Sequence, residues 1–183
     1  MAAEFWYQNT PNVMSTHPSS GPFEGGAVIS VRGTGFADSS SLKCLFGTAR
    51  VAGVFVNRNE IQCKCPPLDS NPSHSDATSS GGVDVLVRVT SNGFELSTNQ
   101  VYFRYTGLAE VAWIDPDVSF AGRSTFVSVF GTFHPTASLT CQFGVEVARA
   151  AFINSSMVQC KAPISQSAGT SAVRVSQNGV DFS

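Results

Sequence analysis

Apolar and polar residues alternate in four short stretches, "VISVRG" (28–33), "VDVLVRV" (83–89), "FVSVFG" (126–131) and "AVRVS" (172–176). A period of two puts the apolar side chains on one face, so each stretch is expected to be a half-buried β-strand. Gly and Pro punctuate the chain between these runs, and no segment sustains a 3.6-residue period with caps, so helix content should be near zero. Short strands with turn signals every 8–12 residues predict a β-sandwich. Asn92-Gly93 and Asn178-Gly179 follow strands and favour positive φ, which makes them expected hairpin turns. "RGTGF" (32–36) and "FGTF" (130–133) lack the Gly-Lys-Ser/Thr ending of a phosphate loop and read as β-turns.

The pattern occurs twice. "GGAVISVRGTGF" (25–36) answers to "RSTFVSVFGTF" (123–133), and "THP" (16–18) to "IDP" (114–116), each 98 residues further on. After a one-residue deletion the offset is 97, pairing "CLFG" (44–47) with "CQFG" (141–144) and "IQCKCP" (61–66) with "VQCKAP" (158–163). "DVLVRVTSNGFELS" (84–97) then matches "SAVRVSQNGVDFS" (171–183), with a shorter loop before it. Each copy holds roughly 90 residues, close to the size of a small sandwich domain.

The repeat also runs backwards. Phe5 and Tyr7 lie 98 residues before Phe103 and Tyr105, so the aromatic opening "EFWYQNT" (4–10) is in phase with "VYFRY" (101–105), the closing strand of the first copy. The second copy reaches "QNGVDFS" at Ser183 without such a run. The expected organisation is therefore a strand segment over 1–10, in phase with the last strand of a preceding unit, a domain over 11–106 and a domain over 107–183 lacking its last strand. An open sandwich edge invites pairing with another chain. Phe5, Trp6 and Tyr7 are the candidate donor residues, with Phe5 and Tyr7 facing the acceptor core.

Cys44 and Cys63 are 19 residues apart, and so are Cys141 and Cys160. Equal spacing inside each repeat is best read as one disulfide per domain, contributing about 3 kcal/mol for a loop of this length in a chain-entropy model. The competing readings are buried thiols of a cytosolic protein and, more weakly, a zinc site, since "CKC" lacks a two-to-four-residue gap and no His falls at ligand spacing. Cys65 stands outside both pairs, because the second copy has Ala162 there. A core thiol is its default role; a disulfide competitor and an intermolecular link are the alternatives.

The constellation "STHPSSGPFEGGAVISVRGTGF…LKCLFG…IQCKCP…VRVTSNGFELS…VYFRY" resembles the IPT/TIG family, immunoglobulin-like domains of plexins, Met-type receptors, surface proteins and some transcription factors. The second copy departs from it at "DPDVSFAGRSTF" (115–126), while its Cys-x-Phe-Gly and Gln-Cys-Lys segments hold. The resemblance implies two tandem early-set immunoglobulin-like sandwiches, all-β, with an inter-strand disulfide in extracellular members. It implies no catalysis and no cofactor.

Composition narrows the function further. Charged residues make up 13% of the chain, against about 25% in typical globular domains, a balance suited to a secreted or cell-surface β-protein. Net charge is −2 with Lys and Arg scattered, so no basic stripe offers the phosphate-neutralising surface that nucleic-acid binding needs. No apolar run approaches the ~20 residues needed to span a bilayer, and the start lacks a basic n-region with an apolar core. Direct membrane insertion is not expected, and the signal for export would lie outside this sequence.

Candidate sites are few. The segment "DSNPSHSDATSSGG" (69–82) holds His74 near Asp76 together with Ser70, Ser73, Ser75, Thr78, Ser79 and Ser80. A Ser/Gly/Pro-rich loop cannot hold a catalytic base in place, so the segment reads as a plain flexible loop, with partner recognition or O-glycosylation as its candidate roles. Asp115 and Asp117 flank Pro116, but two carboxylates fall short of the six to eight oxygens calcium takes. Asn154-Ser155-Ser156 is the only N-glycosylation sequon, because Asn71 precedes Pro. The reading is a non-catalytic extracellular structural or adhesive repeat protein, either a filament subunit joined head to tail by strand complementation or an excerpt of a longer array whose closing strand lies beyond Ser183. Its partners would be copies of itself, neighbouring domains of a longer array, or other surface proteins and glycans. The alternatives are a receptor-type or glycan-binding module using the 69–82 loop and, further off, an intracellular DNA-binding TIG protein with reduced cysteines.

Overall fold

The computed structural model describes residues 7–68 and 82–183. The described residues are all strand, turn and coil. The chain divides into two units that meet at Tyr105 and Thr106.

In the first unit the strands are β1 (Asn12–His17), β2 (Ser20–Pro22), β3 (Val28–Thr34), β4 (Lys43–Phe46), β5 (Ala49–Asn57), β6 (Glu60–Lys64), β7 (Gly82–Thr90) and β8 (Val101–Thr106). They run in the order β1-β3-β6-β5-β4-β7-β8-β2. β5 makes this one continuous sheet. Its first half pairs with β4, from Ala49↔Phe46 to Ala52↔Lys43, and its second half with β6, from Gly53↔Cys63 to Asn57↔Glu60. One long strand thus belongs to both faces of the sandwich, and the faces fold over a core of Ile29, Val31, Ile61, Val87, Val89 and Phe103.

The second unit repeats this plan with β9 (Glu110–Asp115), β10 (Phe126–Thr132), β11 (Thr140–Phe143), β12 (Glu146–Asn154), β13 (Met157–Lys161) and β14 (Val173–Ser176). Its order is β14-β11-β12-β13-β10-β9, which is the first unit's order from β7 back to β1. Among the described residues no strand stands in the places of β8 and β2. Val129, Phe133, Val158 and Val175 form its core.

A disulfide ties the two faces of each unit together. Cys44 on β4 is bonded to Cys63 on β6, with Cα atoms 6.3 Å apart, and Cys141 on β11 to Cys160 on β13, at 6.2 Å. All four cysteines are buried. Cys65 lies buried outside both bonds, its thiol against the Pro66 carbonyl.

The turns differ from expectation in two places. Two-residue hairpins form at the Phe-Gly steps: Phe46 pairs with Ala49 around Gly47, and Phe143 with Glu146 around Gly144. Both glycines have positive φ, 62° and 64°, at the first central position, where a type II′ turn requires glycine. Asn92-Gly93 and Asn178-Gly179 instead open wider bends. The Asn92 side-chain oxygen accepts the Phe94 and Glu95 N–H groups, and that of Asn178 accepts those of Val180 and Asp181. The chain then folds back, so Ser97 bonds Val89 and Ser183 bonds Val175, each through both backbone and hydroxyl.

Gly35 of "RGTGF" has a positive φ of 76° just past β3, but the other two glycines of "RGTGF" and "FGTF" have a different job from the one expected. Gly33 and Gly131 lie inside β3 and β10. A Cβ on Gly33 would come within 2.0 Å of the Asn12 carbonyl oxygen, and one on Gly131 within 1.7 Å of that of Glu110. Close approach of neighbouring backbones, and not a phosphate loop or a turn, is what requires glycine there.

Gln177 locks the start of the second unit. It is buried, its Oε1 accepts the His134 N–H at 2.8 Å and its Nε2 donates to the Gly107 carbonyl at 2.8 Å. Gln177→Ala strips both partners, so chemical denaturation monitored in the second unit should show a loss of about 1–3 kcal/mol. Thiol titration of the denatured, unreduced chain should return one reactive cysteine, Cys65; a value of five would contradict both disulfides.

Candidate interaction surfaces

β8 closes the first unit with aromatic side chains. Phe103 and Tyr105 alternate with outward-facing residues, so both enter the core, where they are essentially inaccessible to solvent. Phe103 packs edge-on between Phe46, at 5.4 Å between ring centroids, and Tyr105, at 5.1 Å, the geometry that ring quadrupoles favour. The Tyr105 hydroxyl donates to the Pro66 carbonyl at 2.8 Å. On the far side, the Arg104 N–H bonds the Ser19 carbonyl at 3.0 Å. Gly21 of β2 sits so close that a Cβ there would lie 2.9 Å from the Phe103 ring.

The equivalent face of the second unit is uncovered among the described residues. β14 pairs with β11, from Ser176↔Thr140 to Val173↔Phe143, on one edge. Its other edge carries no strand in the described structure. The cost shows position by position. Phe46 and Val87 are fully buried, whereas their counterparts Phe143 and Val173 are half-exposed, and buried Val85 is matched by exposed Ser171. Val118 and Phe120 stand where β2 has Ser20 and Pro22, and are 78% and 80% exposed. Beside them Ser119 replaces Gly21, its hydroxyl 2.5 Å from that of Thr125. Partly open apolar side chains thus stand beside an edge that, among the described residues, is met only by the return of Phe182 and Ser183 onto Ser176 and Val175.

Tyr7 lies among the described residues and is almost wholly exposed; Phe5 and Trp6 lie outside them. The whole candidate loop set, Ser70, Ser73, His74, Ser75, Thr78, Ser79 and Ser80, also falls outside the described residues. No group of three His, Cys, Asp or Glu side chains that could hold a metal occurs among the described residues. A groove of about 710 Å³ runs along β9 between Leu108, Val111, Gly131, Phe182 and Ser183, and Glu110 is the only acidic or basic side chain among its lining residues. Nothing there pairs a nucleophile with a base.

A second surface was not evident from the sequence. On the outer face of the β9-β10-β13-β12 sheet, Trp113 pairs with Phe130, Phe130 with Met157, and Met157 with Asn154. These four residues form one row across four strands. The Trp113 and Phe130 rings are stacked, 3.8 Å between centroids and 6° from parallel, and Trp113 is 56% exposed. The first unit has Ser15, Arg32, Glu60 and Asn57 in the same row, with Arg32 and Glu60 ion-paired at 3.9 Å. Setting the repeats in register exposes this exchange; neither copy read alone marks it.

Two disulfide-linked sandwiches in tandem, with no catalytic constellation among the described residues, define an immunoglobulin-like β-protein. The IPT/TIG domain model matches residues 11–105, just over half of the chain, and the chain belongs to that family. Human fibrocystin-L is 26% identical over 176 residues, 95% of this chain but 4% of that protein. A probable serine/threonine-protein kinase, drkC, of Dictyostelium discoideum is 28% identical over 105 residues, 57% of this chain and 13% of that protein. The chain thus spans only a small part of the curated relatives it matches. The extracellular region of plexin A4 shares the fold, with a TM-score of 0.58 at 17% identity, covering 98% of this chain and 16% of that one.

The weight of the closing strand is directly measurable. Phe103→Ala should destabilise the first unit by about 3–5 kcal/mol. Phe46→Ala should likewise cost clearly more than Phe143→Ala at the equivalent, partly exposed position of the second unit, and equal costs at this pair would show that the two edges are equally covered in solution.

Proposed function

We propose that the chain is a non-catalytic structural or adhesive module of the cell surface or extracellular space. It acts as a link in a string of IPT/TIG sandwiches, and its second unit is joined to its neighbour by strand addition at β14. The observation that carries this reading is the loss of cover over Phe143 and Val173, at positions where the first unit buries Phe46 and Val87 beneath β8. A strand added there gains both backbone hydrogen bonds and apolar burial.

The segment AEFWYQ (3–8) is the donor we assign. Its Phe5 and Tyr7 keep the spacing of Phe103 and Tyr105, the residues that fill the first unit's slot. A copy that donates this strand to the next makes a head-to-tail contact that does not close on itself, and such contacts build filaments. The two disulfides suit an oxidising, extracellular setting, and they weigh against an intracellular DNA-binding role that needs reduced cysteines. This chain matches only 4% of human fibrocystin-L, which leaves room in a relative of that length for further units.

Light scattering of the 183-residue chain across a concentration series, with negative-stain images of the same samples, tests this. Polymers are expected, and they should vanish on removal of residues 1–8 or in Phe5→Ser/Tyr7→Ser while the first unit stays folded. Assembly untouched by either change would sink the donor assignment. A monomer at every concentration would assign the β14 edge to a different strand of a longer array.

A further inference from the structure

The row Trp113–Phe130–Met157–Asn154 ends on the chain's only sequon. We infer that Asn154 carries an N-linked glycan whose innermost sugars lie along the sheet surface on Met157 and Phe130, making the row a built-in saccharide platform. The inference takes from the proposed function only that the chain passes through a secretory, glycosylating compartment.

Three observations converge. Asn154 ends β12 at the exposed tip of the β12–β13 connection, where its Oδ1 accepts the Ser156 N–H at 2.8 Å; the side-chain nitrogen is the atom left to take a sugar. The tip is a conserved piece of geometry within the molecule, since Asn57 accepts the Asn59 N–H at 2.8 Å at the same place in the first unit. There, however, the sequence Asn57-Arg58-Asn59 is no sequon, and the row beside it is the Arg32–Glu60 ion pair. Sequon and apolar row occur together in one unit and are absent together from the other.

The dimensions fit. Neighbouring strands lie about 4.8 Å apart, so Met157 is one spacing and Phe130 about 10 Å from Asn154, within reach of the first two N-acetylhexosamine rings. The Phe130 ring spends one face on Trp113. Because β10 lies between β9 and β13, its other face is turned toward Met157 and Asn154. The negative face of an aromatic ring attracts the partly positive C–H groups of a pyranose. Trp113 is exposed while Phe130 and Met157 are partly buried, so apolar surface remains along the row, and a tethered glycan covers it without any partner protein. Attachment joins the Asn154 nitrogen to the anomeric carbon of a polyprenyl-pyrophosphate-linked oligosaccharide. The sugar–phosphate C–O bond breaks, the lipid pyrophosphate leaves with the electron pair, and the amide nitrogen gives up one proton; nothing is oxidised or reduced.

The test is to secrete the full chain from a glycosylating eukaryotic host and measure occupancy by intact mass. Unfolding of the second unit is then followed for the glycoform and for Asn154→Gln. The glycoform should be occupied and should melt about 4 °C or more higher, with slowed amide exchange in β10 and β13. That gain should disappear in Phe130→Arg/Met157→Glu, which installs the pair the first unit already tolerates, and shrink in Trp113→Ser, which keeps the sheet intact if the double variant fails to fold. An unoccupied Asn154 would overturn the inference, as would an equal gain in the substituted backgrounds. Light scattering of the same samples reports on strand addition separately, so either idea can fail while the other stands.

Discussion

Phe103, held edge-on between Phe46 and Tyr105, closes the core of the first unit, and most of what distinguishes the second unit follows from the uncovered position it corresponds to. A sandwich core is finished only when its last strand supplies both large side chains to the interior and backbone groups to the neighbouring edge. β8 does both, and it also recruits β2, whose Gly21 permits the close approach of the ring. Where no such strand lies on β14, Phe143 and Val173 stay half-open, and the Val118–Phe120 stretch turns its apolar side chains to solvent. The same framework therefore buries its Phe-Gly hairpin in one copy and leaves it partly open among the described residues of the other.

What keeps the second unit folded with an open edge is its internal bracing. The Cys141–Cys160 bond joins β11 to β13 across the core, and β12 runs from one sheet face into the other. The return of Ser183 onto Val175 adds hydrogen bonds at the far end of β14. Gln177 adds a buried polar clamp where the first unit has Ser91, which accepts only the Ala37 N–H, at 3.4 Å. Each of these acts locally, so the unit does not depend on β8-like packing for its whole stability.

Much of this architecture was legible in the sequence, because the side-chain period of two survives in the core strands and the two copies restate each other. All-β character, the tandem repeat and the family resemblance follow from alternation in "VISVRG" and "FVSVFG" and from the spaced Cys-x-Phe-Gly and Gln-Cys-Lys elements. The turns were less legible. Asn-Gly is the stronger statistical hairpin signal, yet the tight hairpins fall at Phe46-Gly47 and Phe143-Gly144, because strand pairing on both sides leaves room there for only two residues. In the Asn-Gly segments the side-chain oxygen captures successive N–H groups and widens the bend. Gly33 and Gly131 were misread for a related reason: the need for glycine arises from a backbone across the sheet, which local sequence does not reveal. The Trp113–Phe130–Met157–Asn154 row was invisible for the same reason, since its members come from four strands whose register only the folded sheet supplies.

Divergence between the copies is concentrated outside the core. The disulfide cysteines, the Phe-Gly turns and the strand-embedded glycines are common to both, whereas Cys65 is replaced by Ala162. The outer row differs: a charged pair, Arg32 and Glu60, and an aromatic–methionine pair, Phe130 and Met157, occupy the same backbone positions equally well. Surface positions that the fold leaves unspecified are where a repeat can take on a task of its own. An ion pair keeps a sheet face wet and indifferent to neighbours, whereas stacked rings expose apolar surface whose burial is favourable. The second unit thus carries its distinguishing chemistry on two surfaces, the β14 edge and the outer face of β9, β10 and β13. Under the proposed function a strand would cover the edge, where backbone groups need partners, and under the further inference a saccharide would cover the face, where they do not.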